Sequence, residues 1–126
     1  MSIKESIHKK AIAHSTKSKE DWRVGAIITD ADYNVISYGV NDAHTHAEVR
    51  AIINANQNLD SCKIFVSSDI PCVNCCIEIA RAGIDEVICT IGGGPHKPKW
   101  IQSSIEGEEI LKKSKIKITF YQKNLL

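Results

Sequence analysis

Apolar residues recur along this chain at two spacings, and the switching between them lays out its elements. Ile3, Ile7, Ala11 and His14 fall at helical intervals, which predicts a helix from about Ser2 to Thr16. The polar stretch up to Asp21 reads as a loop. Val24–Ile28 is a short apolar run and reads as a strand, Asp30–Asn34 as a turn, and Val35–Val40 as a second strand. So short a turn makes the pair an antiparallel hairpin. From about His46 to Asn56 the residues Ala47, Val49, Ala51, Ile52 and Ala55 return to the helical period. Ile64–Val66 is a third strand. Pro71 then opens a helix that runs to about Ala82 and stops at Gly83. Glu86–Ile91 is a fourth strand, Gly92–Pro98 a broken loop, Ile101–Lys113 a helix, and Ile116–Phe120 an alternating last strand.

This order, α-β-β-α-β-α-β-α-β, predicts an α/β fold with one sheet between helices. Helices join strands three, four and five, so those three are expected to run parallel. In such sheets ligands collect beyond the carboxyl ends of the parallel strands. Both segments richest in reactive side chains, His46-Ala47-Glu48 and Pro71-Cys72-Val73-Asn74-Cys75, follow strands and open helices. They are expected to meet at that crevice.

A length of 126 residues suits one compact domain over 1–126. The formal net charge of +1 supplies no field for polyanions, which disfavours a nucleic-acid binder and leaves a small-molecule substrate. No run is long and apolar enough for a secretory leader or a membrane span, so a cytoplasmic location is expected. Five cysteines, an odd number with no export signal, argue for reduced thiols.

Their spacing points to metal. Cys72 and Cys75, two residues apart at a helix start, can both reach one ion, and the positive end of the helix favours thiolates. With His46 they make a donor set that suits zinc and leaves the fourth tetrahedral position for water, as in catalytic sites. Glu48, two residues after His46, is off the ligand face but can reach such a water as general acid and base. A purely structural zinc site needs a fourth protein ligand. Cys76 points about 100° from Cys75 on a helix, and His44, Cys62, Cys89 and His96 have no diagnostic spacing. A carboxylate aimed at the metal also has no use in a zinc-stabilised binding module.

At these residues the chain resembles the cytidine and deoxycytidylate deaminase superfamily. The order His-x-Glu followed by Pro-Cys-x-x-Cys is the pattern by which zinc deaminases are known. Val24–Ile28 is similar to the family's first strand, His46-Ala47-Glu48 with Ala51-Ile52 to its zinc and proton-shuttle helix, and Pro71–Cys75 with Ala82-Gly83-Ile84 and Val87 to its second ligand helix and strand. With Trp100 and Ser103, the likeness is strongest to deoxycytidylate deaminases. The resemblance implies a three-layer α/β/α sandwich with a five-stranded mixed sheet. It implies zinc on His46, Cys72 and Cys75, with Glu48 catalytic, and conversion of dCMP to dUMP and ammonia. It also implies a homo-oligomer and substrate contacts from Gly25, Ala26, Asn41, Ala47 and Pro71. Histidine at position 46 and a helix between strands four and five side with the nucleotide and transfer-RNA branches, away from the free-nucleoside enzymes. Only Asp42–Thr45 separates Asn41 from His46, a segment commonly longer in deoxycytidylate deaminases, so regulation by nucleoside triphosphates is not expected. A transfer-RNA adenosine deaminase, which shares the short spacing, and a deaminase of a free cytosine nucleoside or base are the alternatives.

Asn41 ends the second strand, where the family resemblance implies a hydrogen bond to the sugar and the plain alternative is a turn residue. Arg23 is a phosphate candidate, because guanidinium binds phosphate bidentately, and Lys97 and Lys99 are others; each is equally an ordinary surface cation. Trp100 could wall the base pocket. Gly92-Gly93-Gly94 lacks the Lys-Ser/Thr of a phosphate loop. His8, His14 and His96 read as surface or amphipathic positions, and Cys62, Cys76 and Cys89 as small packing residues.

Overall fold

The computed structural model describes residues 1–93 and 97–122. Its elements are α1 (Ile3–His14), a 3-10 turn (Ser15–Lys17), β1 (Gly25–Thr29), β2 (Val35–Val40), α2 (Ala47–Ala55), β3 (Lys63–Val66), α3 (Val73–Arg81), β4 (Glu86–Ile91), α4 (Pro98–Lys113) and β5 (Lys117–Gln122). Every expected element is present. The largest boundary difference is at α4, which starts at Pro98, where proline's fixed φ and missing N–H suit a first turn. The hairpin turn is set by Asp30, whose Oδ1 accepts from the N–H groups of Asp32 and Asn34, both at 2.9 Å.

The sheet runs β2-β1-β3-β4-β5. β1 is antiparallel to both β2 and β3, while β3, β4 and β5 are parallel. β2 therefore points the same way as β3 and β4. The carboxyl ends of all three lie at one edge of the sheet, and α2, α3 and α4 all start there.

Period-two alternation sorts the two faces. Ala26, Ile28, Ile64, Val66, Val87 and Cys89 meet α2, α3 and α4 through Ala47, Ala51, Cys76, Ile79 and Leu111. Ile27, Phe65 and Ile88 point to the opposite face and meet Ile7 and Ala11 of α1. This is the three-layer α/β/α sandwich with a mixed five-stranded sheet. Among the described residues, no helix is long and apolar enough to cross a membrane.

One expectation is corrected on α1. His8 is fully buried, its ring 5.3 Å from Tyr121 and 6.2 Å from Phe65, with Nε2 2.6 Å from Thr90 Oγ1. Ile3, counted as apolar face, is exposed. The helix is turned so that Ile7, His8 and Ala11 face the sheet. A polar residue takes a core position because Thr90 on β4 satisfies one ring nitrogen. His14 is half-buried against Tyr38. Cys62, Cys76 and Cys89 are buried, as their reading as packing residues requires.

Candidate metal and active site

The site forms where three helices begin. His46 is the N-cap residue of α2 and Cys72 that of α3, both with extended backbone, so each side chain stands at the sheet edge and not along a helix flank. The loop before α2 is fixed by Asp42, whose Oδ1 accepts from the N–H groups of His44 and Thr45, both at 2.8 Å. Arg50 of α2 reaches back to Asp42 at 3.1 Å. The loop before α3 is fixed from α4. Ser104 Oγ donates to the Ile70 carbonyl at 2.8 Å, and Ser103 Oγ accepts from Val73 N–H at 3.1 Å. That N–H is one of the first-turn donors a helix cannot satisfy itself. Two glycines allow the close approach. A Cβ on Gly39 would meet the backbone of Ala47 and Ala51, and one on Gly107 would meet the Pro71 carbonyl and Cys76 Sγ.

The donor atoms of His46, Cys72 and Cys75 lie within 4.8 Å of one another. His46 Nδ1 is 3.2 Å from Cys75 Sγ and 3.4 Å from Cys72 Sγ. On a tetrahedral zinc, bond lengths of about 2.0–2.1 Å to nitrogen and 2.3 Å to sulfur separate such donors by roughly 3.6 Å. The two nitrogen–sulfur distances reach that value with movements of a few tenths of an ångström. Two sulfurs and one imidazole are donors that zinc accepts, so the residues fit the metal. Among the described residues no fourth His, Cys, Asp or Glu joins the group. Cys76 Sγ is turned to the Pro71 carbonyl, and His96 lies outside the described residues.

The local electrostatics favour the thiolate. Hydrogen bonding from the Cys75 thiol, helped by His46 and opposed by burial, lowers the Cys72 pKa to about 4. The same hydrogen bond and burial raise Cys75. His46 is raised, chiefly by its hydrogen bond to Cys72. A cation held by both sulfurs must displace the Cys75 proton, as coordination requires. Glu48 stands in the first turn of α2 and is only 4% exposed; burial raises its pKa. It can therefore hold a proton that an exposed glutamate would release.

A cavity of about 570 Å³ opens over these groups. His46, Ala47, Glu48, Pro71, Cys72, Asn41 and Trp100 all line it, and the Trp100 ring lies 5.8 Å from that of His46. The Asn41 amide is already engaged: Oδ1 accepts from Val24 N–H at 2.8 Å, and Nδ2 donates to the Trp22 carbonyl at 2.6 Å. It braces the loop that carries Trp22 into the cavity wall. Arg23, Gly25 and Ala26 are elsewhere. Arg23 is exposed and directed to the Thr16 carbonyl at 3.4 Å. Gly25 packs under α1 and Ala26 is in the core. Of the two lysine candidates, Lys97 lines the cavity and Lys99 is not among its lining residues. Sequence reading missed Trp22, Asp21, Asp69, Ser104, Ile101, Ile105 and Glu108, which also line it. None belongs to a motif; only the tertiary placement of α4, of the loop around Asp21 and of the loop after β3 marks them.

Residues 1–91 match the family described as the cytidine and deoxycytidylate deaminase zinc-binding region. The chain is 25% identical over 122 residues to an uncharacterized deaminase encoded in the luxG 3′ region of Aliivibrio fischeri, covering 82% of each. Two solved structures share the fold. One is the RibD protein of Acinetobacter baumannii, with TM-score 0.77 and 22% identity over 94% of this chain, which spans 35% of that protein. The other is the dCMP deaminase of cyanophage S-TIM5, with TM-score 0.75 and 21% identity over 94% of this chain and 97% of that one. With the family match covering most of its length and the ligand triad assembled at the sheet edge, this chain belongs to the zinc-binding cytidine and deoxycytidylate deaminase family.

Proposed function

We propose that the chain is a hydrolytic deaminase that replaces the exocyclic amine of a cytosine-type ring by oxygen, with water consumed and ammonia released. The observation that carries this is Glu48, a buried carboxylate on the wall of the same cavity as a three-ligand metal set that lacks a fourth protein donor among the described residues. Zinc held by His46, Cys72 and Cys75 supplies Lewis acidity and lowers the pKa of a water to about 7. The remaining work falls to the chain. Glu48 takes a proton from the water that attacks C4 and passes it to ring N3. It then takes the proton left on the new oxygen and gives it to the departing amine. Trp100 walls the ring, and the hydrogen bonds of Ser103 and Ser104 keep the Cys72 loop in place. Ala47 and Pro71 close the pocket around the ring.

The finer reading carried by the resemblance is dCMP to dUMP. Its phosphate needs a cation, and Lys97 is the cationic wall residue among those described. Asn41 is available to the sugar only through the part of its amide not bonded to Trp22 and Val24. Transfer RNA is the weaker reading, since the net charge is +1 and polyanion binding rests on basic surface. The proposal includes action on a small molecule in the cytoplasm, by a single-domain protein that assembles as a homodimer or larger.

The test is ammonia release by the zinc-loaded protein from cytosine, cytidine, deoxycytidine, CMP, dCMP and adenosine. Glu48→Gln should keep zinc and fold while losing about 10²–10⁴-fold in turnover, the worth of general acid–base help. Near-normal activity in that variant sinks the role given to Glu48.

A further inference from the structure

The charge of the cavity wall runs against a phosphate. Asp21, Asp42, Asp69 and Glu108 line the cavity together with Glu48 of the reaction centre, and Lys97 is the cation facing them among the described lining residues. Two of these acids are partly compensated from outside, Asp42 by Arg50 at 3.1 Å and Glu108 by Lys112 at 3.0 Å. Asp21 and Asp69 have no cationic side chain within 4.0 Å among the described residues; Asp69 accepts the Ile70 N–H at 2.8 Å. Arg23, the residue best suited by chemistry to clasp a phosphate, is directed to the Thr16 carbonyl. The start of α4 adds roughly half a positive charge beside Lys97. That sum does not balance the acids in a cleft whose low-dielectric walls focus their field. A second feature points the same way. Trp22 and Trp100 line the same cavity, and indole faces attract cations.

We propose that this site selects its substrate by charge: an aminopyrimidine whose ring substituent is uncharged or cationic, with 5′-phosphorylated nucleotides excluded. The inference rests on the deaminase reading above, stands against its dCMP form, and narrows the substrates to unphosphorylated compounds. Ile101 and Ile105 also line the cavity. Asp21 and Glu108 are specificity-determining through their charge alone, with no part in the chemistry.

The test uses one scaffold with three charges at the 5′ position: deoxycytidine, dCMP, and 5′-amino-2′,5′-dideoxycytidine. Binding to the zinc-loaded Glu48→Gln protein is measured by calorimetry, and ammonia release with the zinc-loaded wild type. Deoxycytidine should bind at least tenfold more tightly than dCMP, and the ammonium compound at least as tightly as deoxycytidine. Both gaps should shrink as salt rises from 0.02 to 0.5 M, since screening weakens the field. Asp21→Asn with Glu108→Gln should narrow the deoxycytidine-to-dCMP ratio severalfold. The salt series on the otherwise unchanged protein gives the same information if that double variant does not fold. Tighter binding of dCMP than of deoxycytidine overturns the charge inference and leaves the deaminase reading standing. Ammonia release from none of these compounds, nor from cytosine, cytidine or CMP, overturns the deaminase reading, and the inference falls with it.

Discussion

Gly39→Ala tests whether close packing of β2 against α2 sets the position of the reactive groups. A Cβ built on Gly39 lies 2.5 Å from the Ala51 nitrogen and still nearer the Ala47 carbonyl oxygen. Ordinary contact for a carbon atom is about 3.5 Å, so α2 must retreat by roughly 1 Å. Both obstacles are backbone, so no side chain can swing aside. Overpacking of this kind costs about 1–3 kcal/mol. Gly39 is not in the left-handed region, so alanine also restricts the unfolded chain and returns about 0.4–1 kcal/mol. The net loss is about 1–2 kcal/mol, or about 4–8 °C in Tm for a chain of this size. The effect on activity should be larger than that on stability. α2 carries His46 at its cap and Glu48 in its first turn, and a misplacement of about 1 Å costs about 10²-fold in rate. The assays are a thermal melt, zinc content, and kcat/KM on the compound turned over fastest. A variant with Tm within 1 °C of wild type and activity within twofold would refute the close-packing account.

Three further outcomes are expected. Cys75→Ser should lose zinc on dialysis and lower Tm together, because metal binding contributes to folding; full zinc retention would count against the ligand assignment. Asn41→Ala should raise KM more than it lowers kcat while zinc stays bound, since it frees the Trp22 loop and leaves the metal ligands untouched; an unchanged KM would show that the brace is dispensable. His8 gives a pH dependence. Burial lowers its pKa to about 4 from the ordinary 6.5, and Nδ1 has no partner among the described residues. The fold binds His8 neutral, so its contribution is complete above pH 6.5 and is lost as pH falls toward 4, by about 3 kcal/mol. Urea midpoints for wild type and His8→Leu should converge in pH slope only above pH 6.5, and equal slopes between pH 4 and 6.5 would exclude His8 as the source.

Local chemistry in the chain was enough for the element order, the parallel set of strands and the metal donors. Each rests on short-range rules. Period-two and helical spacing mark elements because a face must be buried; Pro71 and Gly83 bracket a helix through their own backbone restrictions; and Cys72 and Cys75 are one turn apart whatever surrounds them. His46 and Glu48 were singled out by the His-x-Glu and Pro-Cys-x-x-Cys pattern of the resemblance, and the fold brings His46 to the two cysteines. The far side of α1 was not. A histidine at position 8 looks polar until Thr90, 82 residues away, supplies its partner across the sheet, and no local rule contains that contact. Asn41 shows the same limit. The family resemblance implied a sugar contact, but only the fold brings Trp22 and Val24 to its amide. The phosphate candidates were separated by tertiary structure alone. Arg23 and Lys97 look alike as isolated cations, yet the end of one loop turns Arg23 to the Thr16 carbonyl and the start of α4 sets Lys97 on the cavity wall. The acids that face Lys97 come from four separate segments. Their field is a property of the assembled cavity, because electrostatic energy depends on distances in space and carries no periodicity along the chain.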